Sequence, residues 1–299
     1  MQELNFHKLA EVAEAGEDSQ IRSIALGSLG EVILQTTIPM GLPRTRQEEE
    51  SAGVGRQLDW RYFLLRSAKD EMRELALRSS QYFIVQPLES GRLLCVKSCC
   101  RHGENNAFIR EAHGDIVDAF RLGDAIEDVQ VAGDGKIWVS YFDEGVFGSG
   151  LGQAGLACFS RDGEVEFRFN HSAMALDLPT IDDCYAMNVA GDGETYAYYY
   201  SDFPLVRIKD KQITKVCEVP IHGSHAFAVH EDWALFSGAY DKRGIFFLVN
   251  LSGREVTEFQ PKDEEGRIIQ IDCAVGRDSR LYAASGRTLY AIDLSELVI

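Results

Sequence analysis

Apolar and polar residues alternate along much of this chain. In VQVAGDGKIWVSYFDEG (129–145), Val129 and Val131 share one side of an extended segment; beyond a Gly-Asp-Gly turn, Ile137, Val139 and Tyr141 repeat the pattern, with Trp138 and Ser140 opposite. A period of two on both sides of a tight turn predicts a β-hairpin, and the turn glycines supply the positive φ it needs. GLACFSRDG (155–163) and EVEFRFN (164–170) predict a second hairpin, so residues 126–170 carry four short strands. MNVAGDGETYAYYYSD (187–202) nearly copies the opening hairpin.

The four-strand pattern can be laid over 184–219, 225–260 and, upstream, 81–122. It fits 21–77 less regularly, where the polar stretch PRTRQEEESAGVGRQ (43–57) is expected to be a mobile insertion. Residues 268–294 supply only three strands, and ELNFHKLAE (3–11) has the fourth-strand pattern: ELNFHKL matches EVEFRFN. Repeats of about 40 to 60 residues with four strands each predict propeller blades. The expectation is therefore an all-β, single-domain, six-bladed β-propeller over 1–299, with four antiparallel strands per blade. The N-terminal strand 3–11 would close the last blade and remove the open edges. Helix is the competing reading for 4–14 (Phe6, Leu9, Ala10, Ala13) and 65–79 (Leu65, Met72, Leu75, Leu77).

In its strand pattern and its turns AGDG, SRDG and NLSG, the chain resembles NHL-like and regucalcin-like six-bladed propellers. It has neither a repeated Trp-Asp dipeptide nor a kelch double glycine. Resemblance to regucalcin-like lactonases implies a divalent metal in the channel, held by an early Glu with later Asn and Asp. Asn188 and Asn250 fall on strands or turns and no Glu of the first unit has a matching context, so that ligand set is not placed.

Charge narrows the partners. With 47 acidic and 30 basic residues the formal charge is −17, which repels phosphate backbones and anionic membranes, so neither nucleic acid nor membrane is an expected partner. A basic protein, a basic peptide or a cationic small molecule fits better. No apolar run reaches the length of a membrane span, and the acidic start is unlike a secretion signal, so a cytoplasmic location is expected. Seven cysteines lack the regular spacing of a disulfide scaffold and are expected to be mostly small buried residues.

In a propeller, candidate chemistry belongs where the innermost strands begin, at the mouth of the channel. Aligning the repeats places Ser23, Ile84, Asp128, Ala186, His225 and Asp272 there, with Glu127, Asp182, Asp183, His222 and Gln270 within alignment error. Asp128, Asp183, His225 and Asp272 are the candidate ligand-binding residues; Phe142, Asp143, Glu144, Asp202, Tyr240 and Asp241 are candidate rim contacts. No cofactor is expected, although Asp128, His225 and Asp272 would be the ligands of a divalent metal. Carboxylate and imidazole together could do general acid–base work, or could simply bond backbone N–H groups and hold blades together.

Other stretches leave two readings each. CVKSCCRHG (95–103) offers Cys95, Cys99, Cys100 and His102 as metal ligands or as buried thiols. The Gly-rich YFDEGVFGSGLGQAG (141–155) reads as a flexible rim loop, and YAYYYSDF (196–203) as blade packing or a contact patch. HGSH (222–225) lacks the context of a nucleophile, and neither a P-loop nor HExxH occurs. The functional expectation is a binding module for a protein or peptide; the alternative is a metal-dependent hydrolase, lactonase or lyase acting at the channel.

Overall fold

A computed structural model describes residues 2–13, 19–38, 59–66, 71–75, 77, 83–101 and 103–298. Among them six β-sheets form, whose in-sequence strands span 20–74, 84–120, 126–168, 183–218, 227–262 and 273–293. We number these blades 1 to 6. In each, four strands run antiparallel, and the first strands touch one another around a closed circle, blade 6 against blade 1. The protein is a six-bladed β-propeller.

Alternation explains the packing. Each strand buries one side chain against the preceding blade and the next against the following one, so the core is a set of apolar seams between neighbours. Trp138, Cys158 and Phe167 meet Met187, Ala197 and Tyr199 between blades 3 and 4. Tyr198 meets Phe227 and Phe236 between blades 4 and 5. Of the tyrosine run, Tyr198 and Tyr199 are thus seam residues, whereas Tyr200 stays exposed.

Ring closure differs in one detail from a single strand over 3–11. Gln2–Asn5 lies parallel to Val256–Lys262 as a fifth strand of blade 5, and His7–Glu11 lies antiparallel to Thr288–Asp293 in blade 6. Phe6, at the crossing, is fully buried, donates its N–H to Lys262 O (2.8 Å) and packs edge-on against Phe246. Leu4 and Phe6 fill the seam between blades 5 and 6, so the segment must change sheets to bury both. Where they fall on described residues the helix readings give way to strands, Glu71–Glu74 pairing with Asp59–Arg66 through Met72 opposite Leu65 and an Arg61–Glu74 ion pair; 14, 67–70, 76, 78 and 79 lie outside the described residues. The stretch 43–57 and His102 lie outside the described residues.

The two ends of the ring are built differently. At the exit rim, where the inner strands finish, side chains and turns stitch blades together. Gln130 bonds Met187 O and Val189 N–H; Asn188 bonds Phe227 O and both backbone groups of Asp278; buried Arg277 donates to Leu26 O and Val131 O. The near-identical AGDG turns meet here, Gly133 N–H donating to Gly191 O at 3.2 Å. A Cβ on Gly133 would stand 2.4 Å from that oxygen, so only glycine fits.

Candidate functional site

At the entry rim, where the inner strands begin, blades 1, 3 and 4 share a local irregularity. Strand register slips between Ile21 and Ser23, between Ile126 and Asp128, and between Cys184 and Ala186. The bulged residues are Arg22, Glu127 and Tyr185. A bulge frees one residue from the ladder and re-aims its side chain; Arg22 and Glu127 are exposed and Tyr185 is half-buried. The repeat alignment, which selects Ser23, Asp128 and Ala186, falls one residue beyond each.

Carboxylates crowd the blade 3 and blade 4 side of the mouth. Asp128 accepts from Val129 N–H (2.8 Å) and Gln130 Nε2 (3.1 Å). Burial pushes it up to about 6, against the pull of those bonds and of Arg277. Glu127 is pushed up to about 7, by loss of solvent around its carboxyl and then by the charges of Asp128 and Asp183. Asp183 is raised by burial and by Asp143. Charge repulsion thus acts on Glu127 from Asp128 and Asp183, and on Asp183 from Asp143, across two blades.

An aromatic group adjoins them. Phe203 packs against Tyr185 (5.1 Å, 90°), Tyr198, Tyr200, Tyr240 and the stacked ring of His222 (5.3 Å). Its φ of 52° is uncommon for a bulky side chain, and the surrounding rings hold it there. Tyr185 and Tyr240 join hydroxyl to hydroxyl, and His225 stacks on Tyr185 at 4.8 Å. Desolvation, with Arg243 nearby, lowers the His225 pKa. Tyr240 lies flush on Gly223, where a Cβ would meet its ring at 2.4 Å.

The candidate ligand residues divide into two groups. Asp128 and Asp183 belong to the carboxylate cluster. His225 and Asp272 line a cavity of about 310 Å³ between blades 5 and 6, with Tyr240 and Arg243; Asp272 also accepts from Gly286 N–H at 2.7 Å. Among the described residues no three His, Cys, Asp or Glu side chains are gathered as metal ligands, so Asp128, His225 and Asp272 do not form a triad.

The rim residues fall on the loops of this same end. Phe142 donates its N–H to Ala125 O and leads into the short helix Asp143–Val146, where Asp143 and Glu144 are exposed. Asp202 and Asp241 are exposed beside Phe203 and Tyr240. Glycines of the Gly-rich stretch lie close to neighbouring backbone: a Cβ on Gly145 would meet Asp124 O at 2.8 Å, and one on Gly152 would meet Gly145 O at 2.6 Å. Of the cysteine cluster, Cys95 is buried in blade 2, with its thiol pushed up to about 12 by desolvation. Cys100 turns its thiol to Gly123 O, and Cys99 is exposed.

The strongly exposed aromatic rings stand at this rim, whereas exposed Leu29, Ile116 and Val117 lie at the exit end. Phe147 (73% exposed), Met174 (68%), Leu176, Tyr240 and Ile268 stand on its loops, and Tyr200 ends the strand Thr195–Tyr200 there. Neither Tyr185, Phe203 nor Arg22 follows from repeat alignment, because bulges and left-handed turns leave no trace in a period-two pattern.

A propeller with a loop-built, acidic and aromatic mouth is the class that fold and site define. Within it, residues 156–292 match the YxzG family. No curated protein matches the chain. Among solved structures, virginiamycin B lyase from Staphylococcus aureus is similar at 12% identity, with 98% of each chain covered and a TM-score of 0.53. A streptogramin B lyase is similar at 13% identity, with 92% and 93% covered and a TM-score of 0.51. YCF48 bound to D1 peptide is similar at 8% identity, with 98% and 99% covered and a TM-score of 0.53. At these identities the likeness is one of fold. No helix of the described residues is long and apolar enough to cross a membrane.

Proposed function

We propose that this protein is a cytoplasmic binding module that takes a protein or peptide partner on the entry rim, with basic side chains of the partner received by the acidic mouth. One observation carries the reading: the rim that holds the Glu127, Asp128, Asp183 and Asp143 carboxylates also carries the exposed rings of Phe147, Tyr200 and Tyr240. Aromatic anchors beside desolvated charges are what hot spots are made of. A formal charge of −17 favours a basic partner and speeds its association. The unbridged cysteines support a reducing compartment. In a protein of like fold, YCF48, a D1 peptide is bound.

The test is a charge-matched panel of basic nonapeptides, assayed by biolayer interferometry at two salt concentrations. A peptide that binds wild type is expected to bind Tyr240→Ala or Phe147→Asp at least tenfold more weakly, as loss of an aromatic hot spot of about 2 kcal/mol implies. Rim variants that bind every peptide as wild type does refute the proposal.

The enzymatic alternative, a hydrolase, lactonase or lyase, draws on a separate observation. Glu127, pushed up to about 7, has the proton affinity of a general base and neighbours Asp183, which in turn acts on Tyr185. Two solved structures of like fold are lyases. Glu127→Gln separates the readings: it would abolish turnover of a substrate but leave the aromatic anchors of a binding module in place.

A further inference from the structure

The entry-rim cavity of about 310 Å³ between blades 5 and 6 is lined by a cation that nothing in the fold engages. Arg243 faces it, and among the described residues its guanidinium makes neither an ion pair nor a hydrogen bond. Every other Lys and Arg between 227 and 293 pairs with a carboxylate, except Arg277, which donates to Leu26 O and Val131 O. In a chain with 47 acidic and 30 basic residues, an arginine left over in a cavity asks what it is for. Asp272, the one carboxylate among the described lining residues, accepts from Gly286 N–H at 2.7 Å and lies beyond ion-pair distance of Arg243.

The rest of the lining is mostly apolar: Ala226, Ala239, Ile271, Cys273 and Ala274, with the ring of Tyr240. Tyr240 lies flush on Gly223, and its hydroxyl bonds that of Tyr185. Two hydroxyls hold two protons and their mutual bond uses one, so with Tyr185 as donor the Tyr240 proton is left for a ligand. His225 stacks on Tyr185 at 4.8 Å; desolvation and then Arg243 lower its pKa, which keeps the imidazole uncharged beside the arginine. The charge of Arg22, the bulged residue of blade 1, also reaches Cys273 in this lining.

We infer that this cavity binds a small organic carboxylate, its charge paired with Arg243 and its apolar body laid against the alanines and Ile271. The planar fork of an arginine matches a carboxylate with two parallel hydrogen bonds. The volume lies at the low end of small-molecule sites, about 300 to 1,000 Å³. Asp272 opposes a second negative charge, so a monocarboxylate fits better than a phosphate or a diacid. The site goes beyond the rim proposal: blades 3 and 4 offer carboxylates to basic groups, whereas this side of the mouth offers a guanidinium to an acid.

Benzoate and benzamide test the assignment on the full chain, because they share a shape and differ in charge. By titration calorimetry and protein-observed NMR at low salt, wild type is expected to bind benzoate saturably at about 10 mM or below. Benzamide should bind at least about fivefold more weakly, the loss of a charge-assisted hydrogen bond, and inorganic phosphate more weakly than benzoate. Arg243→Gln should bring benzoate down to the affinity of benzamide, whereas Arg161→Gln, on the exit rim, should change neither. No saturable binding of benzoate overturns the inference, as does equal affinity of wild type for benzoate and benzamide, a comparison that needs no variant to fold. Phosphate bound as tightly as benzoate also overturns it, since the apolar walls would then contribute nothing. Acetyl-Ala-Ala-Phe as the free acid separates two sources of the same chemistry: tighter binding than benzoate assigns the cavity to the carboxy terminus of a peptide, and binding no tighter assigns it to a free organic acid. The two aromatic probes carry no basic group, so their result is independent of whether blades 3 and 4 receive a basic partner.

Discussion

Replacing Asp128 by Asn tests the electrostatics of the mouth through stability. Asp128 titrates at about 6 in the folded protein, against an ordinary value of 3.8. About two units at roughly 1.4 kcal/mol each give an upper bound near 3 kcal/mol, which partial exposure reduces to about 1 to 2 kcal/mol. The sign follows from proton binding. A carboxyl whose folded pKa is raised holds its proton more tightly when folded, so its contribution is fully present below about 4 and is lost as pH rises through 6. The Asn variant removes that dependence. It also loses the bond from Gln130, a pH-independent cost of about 1 kcal/mol, so the pH slope is the quantity to read. Urea unfolding at pH 4, 5, 6, 7 and 8 should show wild type losing about 1 to 2 kcal/mol relative to Asp128→Asn between pH 4 and 7, then no further change. A wild-type minus variant difference that is constant within about 0.3 kcal/mol across the series refutes a raised Asp128.

Other outcomes follow from the same structure. Phe6→Ala should cost about 3 to 5 kcal/mol, since a fully buried ring leaves a cavity between blades 5 and 6; calorimetry showing less than about 1 kcal/mol would mean that the N-terminal segment does not close the ring. Gly133→Ala should destabilise by about 1 to 3 kcal/mol through its clash with Gly191 O, whereas Gly191→Ala, with no atom nearer than 3.9 Å, should be milder; equal losses in chemical denaturation would contradict the contact. Under native maleimide labelling read by mass spectrometry, Cys99 should react first while Cys95, Cys158, Cys184 and Cys217 stay protected; early labelling of Cys158, whose thiol burial pushes up to about 12, would contradict its place in the seam.

The blades were legible because each strand buries one face against each neighbour, and that requirement writes itself as alternation, most plainly around the AGDG turns of blades 3 and 4. Blade 1 was harder to read because Glu71–Glu74 is made of helix formers whose strand conformation comes only from pairing with Asp59–Arg66. The crossing at Phe6 was hidden for a related reason: 2–5 and 7–11 read as one extended segment, and only the position of the seam shows that they join different sheets. Around the mouth, period-two reasoning reached the right ends of the right strands. It could not reach the bulged side chains, since a bulge shifts the register by one. Nor could it separate Asp128 from His225 and Asp272, because distance around a ring is not written in distance along a chain. The glycines of 141–155 show another limit: composition alone does not reveal that Gly145 and Gly152 sit where a Cβ would meet backbone oxygens.

The duplicated turn and the dissimilar strand starts of blades 3 and 4 are two sides of one constraint. At the exit rim AGDG meets AGDG, and Gly133, Gln130, Asn188 and Arg277 each serve a contact that another residue type would break. That end cannot change without opening the ring. At the entry rim the same two strands begin with bulges whose occupants, Glu127 and Tyr185, differ in charge, size and chemistry while the ladder beyond them runs on. A bulged side chain has no ladder partner to satisfy, so the sheet itself does not dictate its identity. Rigidity at one end is therefore what permits specificity at the other. It also explains why the entry rim can gather carboxylates with raised pKa values and exposed rings, features that would be costly in a seam, without loosening the blades that hold them.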